Sequence, residues 1–338
     1  LVARGAGAFL APGPGRDTVV GGGDAALSYA DLAGPVRVDL RAGRAEGAAI
    51  SDRIAGVALV LGTPAGDTLL GGARREWEGF SPGPGDDVIR GRGGYDEALF
   101  ARARAPEGAR VDLARGRAED GFGGVDRLHS VEGVSGTRHA DTLRGGGAPF
   151  ESFRGLAGAD RIAGRGGADR VDHGADARHG GREGVVVDLR RGVARDGFGD
   201  RDTLASIESV AGTRFADRLF GAGRDERLQG ERGPDLLHGR RGRDRLEGGP
   251  GSDTLRGGPG ADRFDFAAGD GRDRLGDFRP GRDVLRLSEV EAEGLHAFRL
   301  APRPWGVELI LGGGDGRIGF VGLAAEDLSG RDVWLLDG

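Results

Sequence analysis

The 338-residue chain has no cysteine, so no disulfide can hold it together. It also has no methionine, lysine or asparagine, and all 48 basic side chains are arginine. That usage fits a GC-rich genome. Without methionine, Leu1 reads as other than a native start, and the chain as a fragment or a processed form. No apolar run approaches the roughly 18 residues that span a bilayer. The opening LVARGAGAFL is too short and too weakly apolar to read as a signal peptide. HExxH does not occur, which removes the zinc-protease signature. A basic block is missing too. The arginines are scattered among 54 acidic residues and the net charge is −6, so a mixed solvated surface is expected and nucleic acid is not.

What the chain has is glycine. Its 70 glycines are about one residue in five, beside only 37% apolar and 30% charged residues, a composition that by itself suggests disorder. Glycine keeps no three-residue period, which excludes collagen. The period is nine. Residues 230–266 read GERGPDLLH, GRRGRDRLE, GGPGSDTLR, GGPGADRFD, F. Each copy has Gly at positions 1 and 4. Each has Asp at position 6 (Asp235, Asp244, Asp253, Asp262) and a large apolar residue at position 8 (Leu237, Leu246, Leu255, Phe264). A lone GxGxD is a weak signal; four copies in strict phase are a specific one.

The first six positions are turn chemistry, because Gly permits positive φ and close backbone approach. The last three form a very short strand with one side chain turned inward. Two nonapeptides then make one coil of 18 residues with a turn at each edge. Turns two repeats apart stack, which places Asp235 beside Asp253 and Asp244 beside Asp262. Stacked carboxylates repel unless a cation lies between them. Hard oxygen donors, carboxylates plus carbonyls freed by the Gly turns, suit Ca²⁺. The recurring positions of the motif contain no His or Cys for a softer metal.

A longer repeat frames the short one. VDL recurs at Asp39, Asp112 and Asp188, and Gly-Thr recurs at Gly62, Gly136 and Gly212, each followed by Asp67, Asp141 or Asp217. This gives a truncated nonapeptide region (1–35) and supermodules at 36–108, 109–184 and 185–266. The VDL linkers alternate apolar and polar residues, which suggests further coils or hairpins in the same stack. Acidic residues nine apart follow each linker. They are Glu78, Asp87 and Asp96; then Glu151, Asp160 and Asp169; then Asp217, Glu226 and the four Asp above. The pairs 235/253 and 244/262 rank first as cation sites. The pairs 78/96, 151/169, 217/235 and 226/244 rank second, because Glu is a longer arm and Gly is missing at position 4 before Asp217. Asp17 opens a partial set whose next copy has Ala26, which leaves a paired site there doubtful. Residues 267–338 lose the phase, and from Pro304 to Leu336 they alternate as a hairpin or small sheet with a Gly-Asp-Gly turn, a β cap for the open end. Of the six histidines, His173 and His179 lie in DHGADARHGG, which reads as a solvated loop with a second metal site as the sharper alternative.

On these residues the chain resembles the RTX, or haemolysin-type, calcium-binding repeat proteins of Gram-negative bacteria. GGPGADRFDF followed by GRDRLGDF and GRDVLRLS resembles the end of the β-roll in secreted serralysin-like metalloproteases. The resemblance implies an all-β fold, a right-handed parallel β-roll or β-solenoid. It implies Ca²⁺ ligands at the position-6 carboxylate and the carbonyls of positions 2 and 4. Those are Glu231, Gly233 and Asp235; Arg240, Gly242 and Asp244; Gly249, Gly251 and Asp253; Gly258, Gly260 and Asp262. Asp87, Asp96, Asp160, Asp169 and Asp217 follow by the same grammar, and Asp270 and Asp277 by the family's terminal site. It also implies a secreted, extracellular protein that leaves through a type I exporter by a C-terminal signal, for which Asp332 to Leu336 is the candidate. The expected function is calcium-dependent folding outside the cell, without catalysis in this chain. The alternatives are the non-catalytic C-terminal region of a larger secreted enzyme or toxin, and a calcium-dependent adhesin with a cell-surface or extracellular polymer partner.

Overall fold

The computed structural model describes residues 7–72, 77–101, 105–267, 269–288, 299–310, 316–328 and 333–335. Positions 7 to 9 of the nonapeptides form three-residue strands such as Leu236–His238, Arg245–Glu247 and Thr254–Arg256. Three residues at about 3.3 Å each suffice to turn one central side chain inward. That side chain is the position-8 residue, and Leu228, Leu237, Leu246, Leu255 and Phe264 are all fully buried. One apolar residue per nine therefore fills a narrow core, and the low apolar content no longer argues for disorder.

The chain divides into two compact units, Leu1–Asp169 and Arg170–Gly338, with the boundary inside the segment drawn as the second supermodule. In the second unit, alternate strands enter two parallel ladders. One runs Arg170–Asp172, Ser209–Ala211, Arg227–Gln229, Arg245–Glu247, Arg263–Ala267, Val284–Ser288 and Val333–Leu335. The other runs Val186–Asp188, Arg218–Phe220, Leu236–His238, Thr254–Arg256, Arg272–Leu275 and Arg317–Val321. Two ladders joined by a turn at every crossing are the architecture of a parallel β-roll. The first unit repeats it. Thr68–Leu70 pairs with Val88–Arg90, and that strand with Val125–His129; Trp77–Ser81 pairs with Tyr95–Leu99, and that strand with Gly133–Ser135.

The linkers are hairpins and coils at once. Each VDL strand starts an antiparallel three-strand meander: Val36–Asp39, Arg44–Gly47 and Ser51–Leu61; Arg110–Asp112, Arg117–Glu119 and Val125–His129; Val186–Asp188, Val193–Arg195 and Arg201–Ala205. The VDL strands themselves join the parallel ladders, for example Asp112 in register with Arg144.

The C-terminal segment is an antiparallel sheet of Arg299–Arg303, Gly306–Ile310 and Arg317–Val321. Buried Phe320 meets Phe278 edge-on at 5.2 Å, and Phe278 lies 5.9 Å from Phe264, the last position-8 residue. The aromatic column closes the end of the core. Gly314 and Asp315 of the expected turn, and Asp332 and Leu336 of the expected export signal, lie outside the described residues. His173 departs from expectation. It is 2% exposed, beside the short helix Asp176–His179, with its Nδ1 3.3 Å from Asp176 Oδ2. The carboxylate partner makes burial of the imidazole tolerable, so a solvated loop is the wrong description.

Candidate metal centre

The position-6 carboxylates form two hydrogen-bonded files on the second unit. On one edge the backbone N–H of Asp217 donates to Asp235 Oδ1 at 2.8 Å, that of Asp235 to Asp253 Oδ1 at 2.8 Å, and that of Asp253 to Asp273 Oδ1 at 2.9 Å. On the other edge Glu226 donates to Asp244 Oδ1 at 2.9 Å, Asp244 to Asp262 Oδ1 at 3.0 Å, and Asp262 to Asp283 Oδ1 at 3.0 Å. The structure thus brings 235/253 and 244/262 together. Each carboxylate leans on the turn one coil earlier and uses only one oxygen to do so.

In four of them the other oxygen has no hydrogen-bond partner among the described residues. Oδ2 of Asp235, Asp244, Asp253 and Asp262 is buried and unsatisfied, and none of the four residues is more than 3% exposed. A buried carboxylate oxygen without a donor is costly. Burial accordingly pushes these groups up from the usual carboxylate range, Asp235 to about 9, Asp244 to about 7, and Asp253 and Asp262 to about 6. The charge of the neighbouring carboxylates adds to the rise at Asp235 and Asp244.

Glycine makes the turns close enough to stack. A Cβ on Gly249 would overlap the Glu231 carbonyl oxygen, and one on Gly258 the Arg240 carbonyl oxygen. At position 4, a Cβ on Gly251 would overlap the Gly233 carbonyl oxygen, and one on Gly260 the Gly242 carbonyl oxygen. The same small space at position 1 adjoins the free Oδ2 atoms, since a Cβ on Gly248 or Gly257 would overlap those of Asp253 or Asp262. Unsatisfied carboxylate oxygens and main-chain carbonyls therefore border a cradle that side chains would fill. This donor set fits a hard cation such as Ca²⁺. Among the described residues no three His, Cys, Asp or Glu side chains gather as a metal-binding group, so such a site draws on carbonyls as well as carboxylates.

The remaining candidates divide by how fully the chain itself satisfies them. Asp217 accepts from the Thr213 N–H (2.6 Å), the Thr213 hydroxyl (2.9 Å) and the Val185 N–H (2.6 Å). Asp67 and Asp141 are held in the same way by Thr63 with Val36 and by Thr137 with Ala109. Asp87 accepts from Asp67 and donates its own N–H to Asp126 Oδ1. Both acids of this buried pair are pushed up by burial. The Asp96 N–H donates to Glu132 Oε2, and both Asp96 oxygens are buried without a hydrogen-bond partner. Asp160 Oδ1 accepts from Asp141 at 2.8 Å, and Asp169 is fully buried in its turn. Asp277 accepts from the N–H groups of Gly257 and Gly258, and Asp270 from that of Ala267.

Asp273 and Asp283 were not legible as site residues. Both continue the files where the period stretches from 18 to 20 and 21 residues. The signal that would have found them is Gly-Arg-Asp-x-Leu, present as GRDRL and GRDVL after the phase is lost.

The fold and its turns define a parallel β-roll with stacked carboxylates. Residues 150–178, 220–255 and 238–273 match the RTX calcium-binding nonapeptide repeat (4 copies). Over those residues the β-roll thus matches a repeat described as calcium-binding. Among solved structures, 36% of the chain aligns with 78% of a subunit of the mannuronan C5-epimerase of Azotobacter vinelandii, at 26% identity and a TM-score of 0.29. A second alignment joins 74% of the chain to 45% of the extracellular lipase of Serratia marcescens, at 17% identity and a TM-score of 0.29. No curated protein sequence matches the chain. Among the described residues no helix is long and apolar enough to cross a membrane.

Proposed function

We propose that this chain is a secreted repeat protein whose β-roll folds when it meets extracellular calcium after type I export. The observation that carries the reading is the row of buried Oδ2 atoms on Asp235, Asp244, Asp253 and Asp262, which have no hydrogen-bond donor among the described residues. Bound calcium supplies the positive charge those oxygens lack. The residues that hold it are the carboxylates of 235/253 and 244/262, with the carbonyls of Glu231, Gly233, Arg240, Gly242, Gly249, Gly251, Gly258 and Gly260. Without it, stacked carboxylates repel across a core of one apolar residue per strand, which offsets chain entropy poorly. Binding free energy then becomes folding free energy. Extracellular calcium modules bind at roughly 10⁻⁴–10⁻³ M, a range that leaves the chain extended before export and folded after it.

Far-UV circular dichroism tests the reading, first in chelator and then at millimolar calcium. A gain of β signal on calcium addition is expected. Equal β content in both conditions sinks the proposal.

A further inference from the structure

Three arginines share a geometry that the calcium reading does not use. Arg92, Arg165 and Arg240 each stand at position 2 of a nonapeptide, where Gly249 and Gly258 stand in later turns. All three keep the left-handed conformation there, with φ of 77°, 73° and 76°. Each side chain reaches back to the turn one coil earlier. Arg92 Nη1 donates to the Gly71 carbonyl at 2.8 Å, Arg165 Nη1 to that of Gly145 at 2.7 Å, and Arg240 Nη1 to that of Gly221 at 2.6 Å. Each guanidinium also forks onto the aspartate of a VDL triplet. Arg92 takes both oxygens of Asp39 at 2.9 and 3.0 Å, Arg165 those of Asp112 at 3.0 and 3.0 Å, and Arg240 those of Asp188 at 2.8 and 3.0 Å. Bidentate pairing of this kind is strong and orients the cation.

The turn each arginine reaches is the one with Glu at position 6. A Cβ on Gly71 would lie 2.7 Å from Glu78 Oε2, one on Gly145 2.5 Å from Glu151 Oε2, and one on Gly221 2.9 Å from Glu226 Oε2. The glycine whose carbonyl takes the arginine is therefore the glycine beside the glutamate. The longer glutamate arm folds onto its own turn, where Glu78 accepts from Gly72, Glu151 from Gly146, and Glu226 from Arg224. The electrostatic field of Glu78, Glu151 and Glu226 reaches Arg92, Arg165 and Arg240 respectively and favours their charge. A divalent ion at such a turn would meet a guanidinium already in place and a carbonyl already bonded.

We propose that Arg92, Arg165 and Arg240 are built-in cations for the three glutamate turns, which close without calcium and leave the later all-aspartate turns to require it. The VDL triplets thereby acquire a role as latch plates, and the residue type at position 6 separates latched turns from calcium turns. Hydrogen bonds to the glycine carbonyls and the VDL aspartates hold the latch. Only its contrast with the aspartate turns rests on the calcium reading.

Hydrogen exchange read by mass spectrometry on the whole chain, in chelator, decides the matter. Wild-type protein is compared with Arg240→Gly and with Arg241→Gly, an exposed neighbour in the same turn. Glycine suits the left-handed backbone, so relief of strain by itself would not lower protection. In wild type, peptides covering Val186–Asp188 and Arg218–Phe220 exchange more slowly than those covering Thr254–Arg256. Arg240→Gly speeds exchange of the first group roughly 10-fold, and Arg241→Gly leaves it unchanged. Arg240→Lys keeps the charge without the fork and recovers part of the protection. Equal protection in wild type and Arg240→Gly overturns the proposal, as does wild type with no protection at the latch. Calcium titration of wild type by calorimetry keeps the two readings apart, since absence of binding there removes the calcium reading and leaves the chelator comparison intact.

Discussion

Asp235→Asn should act in opposite directions with and without calcium. Asp235 is 3% exposed, its Oδ1 accepts the Asp217 N–H at 2.8 Å, and its Oδ2 has no hydrogen-bond partner. Burial first, then the charges of Asp217, Asp253 and Glu231, push its carboxyl to about 9 from 3.8. A carboxyl raised in the fold binds its proton more tightly there than in the open chain. Its contribution favours folding below the unfolded value and is lost as pH rises from about 4 to about 9. At about pH 8 nearly the whole interval opposes folding, on the order of 5 kcal/mol at 1.36 kcal/mol per unit. Asparagine removes that charge and keeps the Oδ1 acceptor. Its amide brings a buried donor without a partner, which costs about 1–3 kcal/mol. The net expectation in chelator is stabilisation by about 2–4 kcal/mol, read as a higher urea midpoint or a gain of β signal. In calcium the sign reverses. The 235/253 pair loses one of two carboxylates, and affinity falls at least ~10-fold because ligand charge tunes these sites. Urea melts in chelator and calcium titrations of both proteins provide the two numbers. A variant less stable than wild type in chelator refutes the electrostatic reasoning, and unchanged calcium affinity refutes the ligand assignment.

Three further outcomes follow from the same geometry. In chelator, wild type should gain β structure as pH is lowered from about 8 towards 4, because Asp235, Asp244, Asp253, Asp262 and Asp273 are all raised by burial; a flat pH profile by circular dichroism contradicts this. Leu246→Ala empties the middle of a single-file core between Leu228 and Phe264, and should cost about 2–5 kcal/mol in calcium by denaturant melt. Asp253→Ala or Asp262→Ala should weaken calcium-induced folding far more than Asp17→Ala. The partner carboxylate of Asp17 is Asp52, whose oxygens are already taken by the Asp17 N–H and the Tyr29 hydroxyl at 2.8 Å each. Equal losses in calcium titrations would overturn that ranking.

The roll itself was legible because its physics is local. A turn that needs Gly and a strand that buries one residue repeat every nine positions, so the periods of Asp and of the position-8 residues carry the topology without long-range information. The pairing 235/253 followed from counting alone. What could not be counted was missed. Asp273 and Asp283 sit after insertions in the turns, where a fixed step fails although the hydrogen bond from the preceding coil persists. Asp126 and Glu132 take the same role for Asp87 and Asp96 across a whole linker. The missing position-4 Gly set Asp217 apart in sequence, but not that the threonine four residues earlier and the linker N–H of Val185 satisfy it. The arginine latch is invisible to a nine-residue reading, since Arg240 and Asp188 are 52 residues apart in sequence.

These interruptions decide where calcium dependence should concentrate. In the first unit the files are short. Asp87 passes to the linker acid Asp126, Asp96 passes to Glu132, and arginine stands at the glutamate turns of Glu78 and Glu151. In the second unit two files run through consecutive aspartates, 235 to 253 to 273 and 244 to 262 to 283. Repulsion among buried carboxylates grows with each uninterrupted step, and at Gly249, Gly251, Gly258 and Gly260 the turns stack too closely to admit a side chain. On the calcium reading, the stretch at 230–266 is therefore where the apo chain should be least able to fold and where a bound cation should stabilise it most. Its place next to the Phe264–Phe278–Phe320 column means that ordering these turns also seats the C-terminal cap.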